Sequence, residues 1–164
     1  MEPVLIVFAV LAVAAVVWLV VKSRREPFGA FIDFSKPPWS DAKAKAQGTV
    51  PVLRELFATH GNAIMVKYPL MTTRGEQEHV WGTLLELNET TFLATLDTPL
   101  RDGQPPALPP FAVALAELED WQLELPDGAI RGGFTTRLDI HLARAQGRSV
   151  PDHITAMESR FVDA

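Results

Sequence analysis

The most informative absence in this sequence is cysteine, since none occurs among its 164 residues. Disulfide bonds, cysteine-ligated zinc and thiol catalysis are therefore excluded. The compartment is not identified, because cysteine-free proteins occur on both sides of a bacterial membrane. A Walker-type phosphate loop, a nucleophile elbow and a dinucleotide fingerprint are also absent from the sequence. We therefore expect a chain that is not an enzyme and that carries no cofactor.

Positive charge is the minority charge in this chain. Lysine and arginine number 15 against 20 aspartates and glutamates, which gives a formal net charge of -5 at pH 7. Three of the cations, Lys22, Arg24 and Arg25, lie close together, so the chain after them is more acidic than the whole. Because an acidic surface repels phosphate backbones, the charge balance predicts no nucleic-acid partner.

Long apolar runs are also rare, with one exception from Val4 to Val21 that holds no charged residue. As a helix rising about 1.5 Å per residue, this run spans roughly 27 Å, close to the hydrocarbon thickness of a bilayer. The run predicts a transmembrane anchor with a basic flank over residues 1–25, for which the lipid bilayer is the partner. The alternative, a cleaved signal peptide, is disfavoured because Met1-Glu2-Pro3 replaces the usual cationic start.

The cations that follow the apolar run predict its orientation. By the positive-inside rule, the N-terminus lies outside and the globular domain lies in the cytoplasm. The predicted localisation is therefore the bacterial inner (cytoplasmic) membrane, as a single-pass protein. Residues 26–40 contain three prolines and predict a linker that partly packs on the domain at residues 41–164. The aromatic residues of this linker are Phe28, Phe31, Phe34 and Trp39.

The remaining chain changes its hydrophobic period along its length. Helical patterns over residues 41–47 and 49–61 come first, alternation typical of about six strands follows, and two helices close the chain. The first strand is expected to stop at Pro69, and Thr135 or Thr136 is expected to cap the third helix. The predicted fold class is α+β, with one transmembrane helix followed by a small antiparallel sheet or SH3-like barrel with flanking helices.

Four short motifs follow one another along the domain: Val66-Lys67-Tyr68-Pro69, Glu78-His79-Val80-Trp81, Leu118 with Asp120-Trp121, and Gly132-Gly133-Phe134-Thr135-Thr136-Arg137. In this order they resemble the bacterial YegJ-like family of unknown function, over roughly residues 41–137. The resemblance implies an α+β domain and brings no established activity with it. The chain departs from the family in its N-terminal apolar run and in the proline-rich stretch before Phe111, where simpler members have a shorter turn.

Glu78 and His79 are candidates for an acid-base or metal-assisted site, because carboxylates and imidazoles exchange protons and bind metal ions. One histidine with nearby acids is short of a ligand set, so no metal site is predicted. The alternative is a histidine on an edge strand that bonds to a carbonyl or a carboxylate.

Trp81 and Trp121 occupy alternating strand positions. Large aromatic side chains in a small domain are usually core residues whose N–H groups bond to carbonyls, and we expect this for both. The alternative is that one of them lines a recognition groove.

The segment Gly132–Arg137 has two interpretations. Paired glycines let backbone amides converge on an anion at a helix N-terminus, with arginines nearby. The favoured alternative is a strand-to-helix joint in which glycine permits close packing. The candidate binding residues in this region are Arg131, Gly132, Gly133, Thr135 and Arg137.

Together these patterns favour a non-catalytic protein-interaction module at the cytoplasmic face of the membrane, with a protein as its partner. One alternative is an immunity or antitoxin-like protein whose acidic surface complements a basic effector. The other alternative is a hydrolytic or metal-assisted enzyme that uses Glu78 and His79.

Overall fold

The computed structural model describes residues 33–163, which form an α+β domain with four α-helices and one seven-stranded sheet. The helices are α1 (Trp39–Gly48), α2 (Val50–His60), α3 (Phe134–Ala145) and α4 (Asp152–Glu158). The strands are β1 (Ile64–Met71), β2 (Gln77–Leu87), β3 (Thr91–Ala94), β4 (Phe111–Ala114), β5 (Asp120–Glu124), β6 (Ile130–Gly132) and β7 (Phe161–Val162).

The strands of the sheet lie in the order β4-β3-β2-β1-β5-β6-β7. Neighbouring strands run antiparallel from β4 to β6, and β7 joins parallel to β6. A tight turn joins β2 to β3, in which the Asn88 N–H donates to the Thr91 carbonyl at 2.8 Å. Strand β1 lies in the middle of this order, so its side chains meet both halves of the sheet.

Local sequence explains the first two helices. The Thr49 hydroxyl between them donates to the Ala46 carbonyl at 2.9 Å. Pro51 lies in the first turn of α2, where its missing N–H removes no helical hydrogen bond. Gly61 follows the last residue of α2 with a φ of 52°. The two predicted helices are confirmed, although α1 begins at Trp39, earlier than expected.

The hydrophobic core lies on the face of the sheet that receives alternate residues of β1. Ile64, Val66 and Tyr68 are fully buried there. Ala46 of α1 and Leu53 of α2 belong to the same cluster. The alternation of β1 therefore separates a core face from a second face, and the polar residues of the strand are left for the second face.

Pro69 lies inside β1, so the prediction that it ends the strand is wrong. The Lys67 carbonyl accepts a hydrogen bond from the Glu119 N–H at 2.9 Å, on the side of β1 that faces β5. Backbone groups two residues apart point to the same side, so the Pro69 nitrogen faces that side as well. The pairing of β1 with β5 ends at Lys67. A proline two residues later therefore removes no hydrogen bond of the sheet.

The predicted SH3-like barrel is also wrong. A closed barrel requires its outer strands to pair, whereas β4 and β7 stand at opposite ends of the observed sheet. Strand β7 was outside the predicted set, because two residues are too few to show alternation. A hydrogen bond from the Ile130 N–H to the Arg160 carbonyl, at 2.7 Å, holds β7 beside β6.

No helix within residues 33–163 is long and apolar enough to cross a membrane. The longest, α3, has 12 residues. It extends about 18 Å, against roughly 30 Å for a hydrocarbon core. The predicted fold class with a transmembrane helix, and the predicted localisation as a single-pass inner-membrane protein with its N-terminus outside, are therefore contradicted, and the fold class of the described residues is α+β. The predicted span from Val4 to Val21 lies outside the described residues.

The end of the predicted linker packs on the domain. The Trp39 side chain is 6% exposed. The ring of Phe34 lies 6.1 Å from that of Trp39 and 4.8 Å from the imidazole of His79, measured between centroids. Phe28 and Phe31 of the same segment lie outside the described residues.

Candidate functional site

One face of the sheet gathers polar and aromatic side chains from β1, β2 and β5. Residues that pair across neighbouring strands project from the same face of a sheet. Lys67 pairs with Trp81 on one side and with Asp120 on the other, while Pro69 pairs with His79. These side chains therefore share the face opposite to the hydrophobic core.

A cavity of about 530 Å³ opens over this second face. Its walls come from β1, β2, the loop that follows β3, and helices α3 and α4. This volume falls within the range of sites that bind small organic molecules. The lining includes Lys67, His79, Trp81, Arg101, Thr135 and Asp139.

Lys67 is the most unusual residue of the cavity. It is 5% exposed, although lysine is rarely buried without a partner. Its Nζ atom lies 5.6 Å from the centre of the Phe34 ring and 5.8 Å from the centre of the Trp81 ring. Within residues 33–163 no oxygen accepts a hydrogen bond from Nζ and no carboxylate forms an ion pair with it. This amine therefore lines the cavity without an acceptor from the described part of the chain.

Burial lowers the pKa of the Lys67 amine, because an ammonium ion is poorly solvated in this position. The carboxylates of Asp120, Glu119 and Asp139 offset part of the fall, and the guanidinium of Arg101 adds to it. The amine therefore carries more of its neutral form near neutral pH than an exposed lysine does.

His79 is held by a buried acid. Its Nδ1 atom lies 2.8 Å from Oε1 and 2.9 Å from Oε2 of Glu119, whose side chain is almost fully buried. Glu119 is itself held beside β1 by the hydrogen bond from its N–H to the Lys67 carbonyl. Because Glu119 bonds Nδ1, the other ring nitrogen, Nε2, is the one left to exchange a proton.

Glu78, the neighbour of His79 in the sequence, bonds elsewhere. Its carboxylate accepts hydrogen bonds from the backbone N–H groups of Arg101 and Asp102, each at 2.9 Å. These bonds order the loop that forms one wall of the cavity. The acid that orients His79 is therefore Glu119 and not Glu78.

Asp120 caps α3 from the start of β5. Its carboxylate accepts the N–H groups of Trp121 at 2.8 Å, Phe134 at 3.0 Å and Thr135 at 2.7 Å. The Thr135 hydroxyl donates to it at 2.6 Å. Burial raises the pKa of Asp120, and these hydrogen bonds oppose the rise. The predicted capping by Thr135 or Thr136 is wrong, because Gly133 occupies the cap position and the Asp120 carboxylate supplies the acceptor.

The two glycines before α3 serve close packing. Gly132 and Gly133 have φ values of 76° and 67°. A Cβ atom at Gly132 would lie 2.1 Å from the Trp121 carbonyl oxygen, and one at Gly133 would lie 2.5 Å from Cε1 of Phe161. The predicted anion cradle is thus a packed joint, and its helix N-terminus already binds a carboxylate of the same chain.

The two arginines of the predicted cradle do not line the cavity. Arg131 pairs with Val162 between β6 and β7. The Arg137 guanidinium lies 5.2 Å from the centre of the Phe134 ring and 5.6 Å from that of Phe161. Both side chains therefore belong to the packing at the far end of the sheet.

The two candidate tryptophans have different environments. Trp121 is fully buried and its indole N–H donates to the Thr49 hydroxyl at 3.0 Å, which confirms the core prediction. Trp81 is half-buried and its ring lines the cavity, so the core prediction is wrong for this residue. Trp81 instead matches the alternative, in which one tryptophan lines a recognition site.

The candidate residues chosen from the sequence did not include four buried charged residues of the site. These are Lys67, Glu119, Asp120 and Asp139. One signal was present, because Lys67 is a charged residue inside the apolar strand Ile64–Leu70. Glu119 and Asp120 stand at the start of a strand, where acids are usually solvated, so their burial has no signal in the sequence.

The arrangement can bind a group that carries oxygen acceptors. Among the residues that the structure describes, the acids around Lys67 already have partners: Glu119 has His79, Asp120 has backbone N–H groups, and Asp139 has Arg148 at 3.5 Å. The Lys67 amine and the Arg101 side chain both line the cavity and can donate to such a group. Over the same part of the chain, no group of three or more histidine and acidic side chains is arranged to hold a metal ion.

Comparisons with protein-family models, with curated proteins and with solved structures found no match to this chain. The resemblance to the YegJ-like family therefore stays a prediction.

Proposed function

We propose that the domain is a non-catalytic binding module whose cavity holds a small organic compound through a carbonyl or carboxylate oxygen. The observation that carries this proposal is the Lys67 amine, which lines the cavity on a residue that is 5% exposed and has no acceptor among residues 33–163. A donor that the fold leaves open toward a cavity can bind an oxygen of a ligand.

The rest of the cavity suits a ligand with one flat apolar side. The rings of Phe34 and Trp81 both lie within 6 Å of the Lys67 amine, and that of Trp81 lines the cavity. Aromatic rings bind flat groups by stacking and edge contacts. A volume of about 530 Å³ accepts a ligand of one or two rings. An aromatic carboxylate or carbonyl compound therefore fits the site in shape and in hydrogen bonding.

The charges at the wall favour the same class of ligand. Arg101 lines the cavity, and its backbone is held in place by Glu78. A ligand carboxylate would therefore meet the amine donors of Lys67 and the guanidinium of Arg101. The acids that approach Lys67 are already hydrogen-bonded, which lowers the repulsion that an entering anion would feel.

The test is a titration of the chain with benzoate, followed by the chemical shifts of its backbone amides. We expect shifts in residues around Trp81 and Arg101, with benzyl alcohol as a control ligand of the same ring without the carboxylate. Lys67→Met should abolish binding. Lys45→Met is the matched control, because Lys45 is an exposed lysine on α1 that does not line this cavity. Equal binding of benzoate by the chain and by Lys67→Met would refute the proposal.

The predicted protein partner fits the same site through an acidic side chain that enters the cavity. A short peptide that ends in glutamate, added in place of benzoate, tests this version. Tighter binding of the peptide than of benzoate would support the interaction module or its immunity-like alternative. Binding of benzoate alone would support a small-molecule ligand.

A further inference from the structure

We propose that Lys67 captures flat aldehydes by forming a reversible imine inside the cavity, an inference that rests on the proposed binding function. The aldehyde would place its ring against Trp81 and its carbonyl carbon at the Lys67 amine. The cavity would therefore bind its ligand covalently, and the ligand would be an aromatic aldehyde.

The geometry leaves the lone pair of Lys67 available for this reaction. An amine that is engaged in an ion pair must first break that pair before it can attack a carbonyl carbon. Within residues 33–163 the Lys67 amine contacts two aromatic rings and forms no ion pair. The neutral amine is the nucleophile in imine formation, and burial lowers the pKa of Lys67 and so favours that form.

The reaction balances without an added oxidant or reductant. The nitrogen lone pair of Lys67 forms a bond to the aldehyde carbon, and the carbonyl electron pair moves to oxygen. Nε2 of His79 takes one of the two nitrogen protons and gives it to this oxygen, which completes the carbinolamine. The second nitrogen proton passes by the same route to the hydroxyl group, which leaves as water while the nitrogen lone pair forms the C=N bond, so that amine and aldehyde become imine and water.

His79 is placed to supply and recover that proton. It lines the same cavity, and Glu119 holds its Nδ1, so that Nε2 is the nitrogen left for exchange. A histidine oriented by a carboxylate commonly transfers protons in this way.

The site favours the neutral imine as the product. Burial is the largest effect on the Lys67 nitrogen and disfavours a positive charge there, and the carboxylates of Asp120, Glu119 and Asp139 offset it only in part. The low exposure of Lys67 also limits the access of water that would hydrolyse the product.

The experiment uses benzaldehyde as the probe, on the full chain, with cyanoborohydride to reduce any imine to a stable amine. Peptide mapping by mass spectrometry then gives the rate of modification at each lysine. We expect Lys67 to be modified at least about tenfold faster than the exposed lysines, because a larger fraction of it is neutral. The comparison lysines are Lys36 and Lys45, which are both exposed.

Two variants test whether the fast modification depends on the cavity and on His79. Lys45→Met should leave the rate at Lys67 unchanged, because residue 45 does not line this cavity. His79→Gln should slow imine formation by about 100-fold, the usual contribution of a proton-transferring residue. The extent of imine at equilibrium should stay the same, because a proton donor changes the rate and not the equilibrium. An unchanged rate in His79→Gln would overturn the role of His79.

The outcomes separate this inference from the binding function on which it rests. Modification of Lys67 no faster than that of Lys45, in a chain that binds benzoate, overturns imine formation and leaves the binding function in place. Failure of both benzoate binding and fast modification overturns both. Fast modification of Lys67 that excess benzoate suppresses supports both, since the two compounds then compete for one cavity.

Discussion

The Nδ1 atom of His79 lies 2.8 Å from Oε1 of Glu119, although 40 positions separate these residues in the sequence. The pair links β2 to the segment before β5, across the central strand β1. It is built from tertiary contacts alone, because Glu78, the adjacent acid, bonds the backbone of Arg101 and Asp102 instead. This link fixes the orientation of the imidazole at the wall of the cavity.

Glu119→Ala should lower the free energy of unfolding by about 2 to 4 kcal/mol, because it removes a buried acceptor and leaves His79 without its partner. Glu117→Ala is the matched control, since Glu117 is exposed on the turn just before and should change the stability by less than about 0.5 kcal/mol. Urea unfolding of both variants measures the difference. Equal midpoints would show that the His79 pair contributes nothing to the fold.

Lys67→Met should raise the free energy of unfolding by about 1 to 3 kcal/mol, because methionine has a similar length and no donor to leave unsatisfied. The same variant should lose benzoate binding. A gain in stability together with a loss of binding is the pattern expected when a residue is kept for function. Loss of both would mean that Lys67 has a structural role, through the acids that surround it.

The free energy of unfolding that Lys67→Met gains should depend on pH. Burial lowers the pKa of Lys67 in the folded chain, so the unfolded chain binds more protons between that lowered pKa and the ordinary lysine pKa. The stability contributed by Lys67 therefore rises with pH through this interval. The advantage of Lys67→Met should shrink as the pH rises, and melts of both proteins across the alkaline range measure it. A constant difference would contradict the lowered pKa.

Tyr68 provides a second titration, which a single absorbance signal can follow because the chain has one tyrosine. Burial, with a contribution from the Asp97 carboxylate, raises the pKa of Tyr68 to about 12. Its hydroxyl donates to the Thr95 carbonyl at 2.7 Å. We expect an alkaline absorbance change centred near that value in the folded chain, and near about 10 in guanidinium. Equal midpoints would contradict the burial of this hydroxyl.

The raised pKa of Tyr68 also predicts how stability changes with pH. The contribution of this residue is complete below the unfolded pKa and is lost as the pH rises through the folded pKa. Tyr68→Phe should therefore flatten the loss of stability in that alkaline range. Its cost at neutral pH should be about 1 kcal/mol, the usual value of one hydrogen bond.

Gly82→Ala should be among the most damaging small substitutions in the chain. Gly82 lies in β2, and a Cβ atom there would stand 1.8 Å from the carbonyl oxygen of Thr95. The backbone beyond β3 would have to move, at an expected cost of about 2 to 4 kcal/mol. Gly48→Ala is the control, because nothing lies within 4 Å of a Cβ atom there and alanine favours a helix. Similar melting temperatures for the two variants would refute the close approach.

A fragment that starts at Asp41 should melt below one that starts at Asp33. The shorter fragment loses the rings of Phe34 and Trp39, which pack on the domain, and each fully uncovered ring costs about 1.5 to 3 kcal/mol. It also opens one side of the Lys67 amine. Thermal melting of the two fragments measures the effect, and equal melts would make this segment a tether.

Several elements could be predicted from the sequence because their causes are local. Thr49 and Pro51 mark the junction of the first two helices, and Asn88 marks the turn between β2 and β3. The triplet Pro126–Gly128 marks the turn from β5 to β6, where the Leu125 N–H donates to the Ala129 carbonyl at 2.8 Å. Each signal acts within a few residues, so no knowledge of the sheet order is needed.

Other features depended on contacts between distant parts of the chain. Whether Pro69 ends a strand depends on where β5 stops pairing with β1. Whether Thr135 caps α3 depends on the position of Asp120, whose carboxylate accepts the N–H groups of Phe134 and Thr135 at the start of this helix. In both cases the local rule was sound and a partner far away in the sequence decided the outcome.

The sequence by itself determined the α+β class, the acidic charge, and the alternation that puts Lys67 and Trp81 on strand faces. Only the tertiary structure decided that Lys67, Trp81 and His79 share one cavity, and that Glu119 is the acid that bonds His79. The physical reason is that alternation within one strand gives the face of a residue, whereas its neighbours on that face depend on strand order and register. Burial of Lys67 follows from that arrangement, so its lowered pKa could be inferred only from the folded chain.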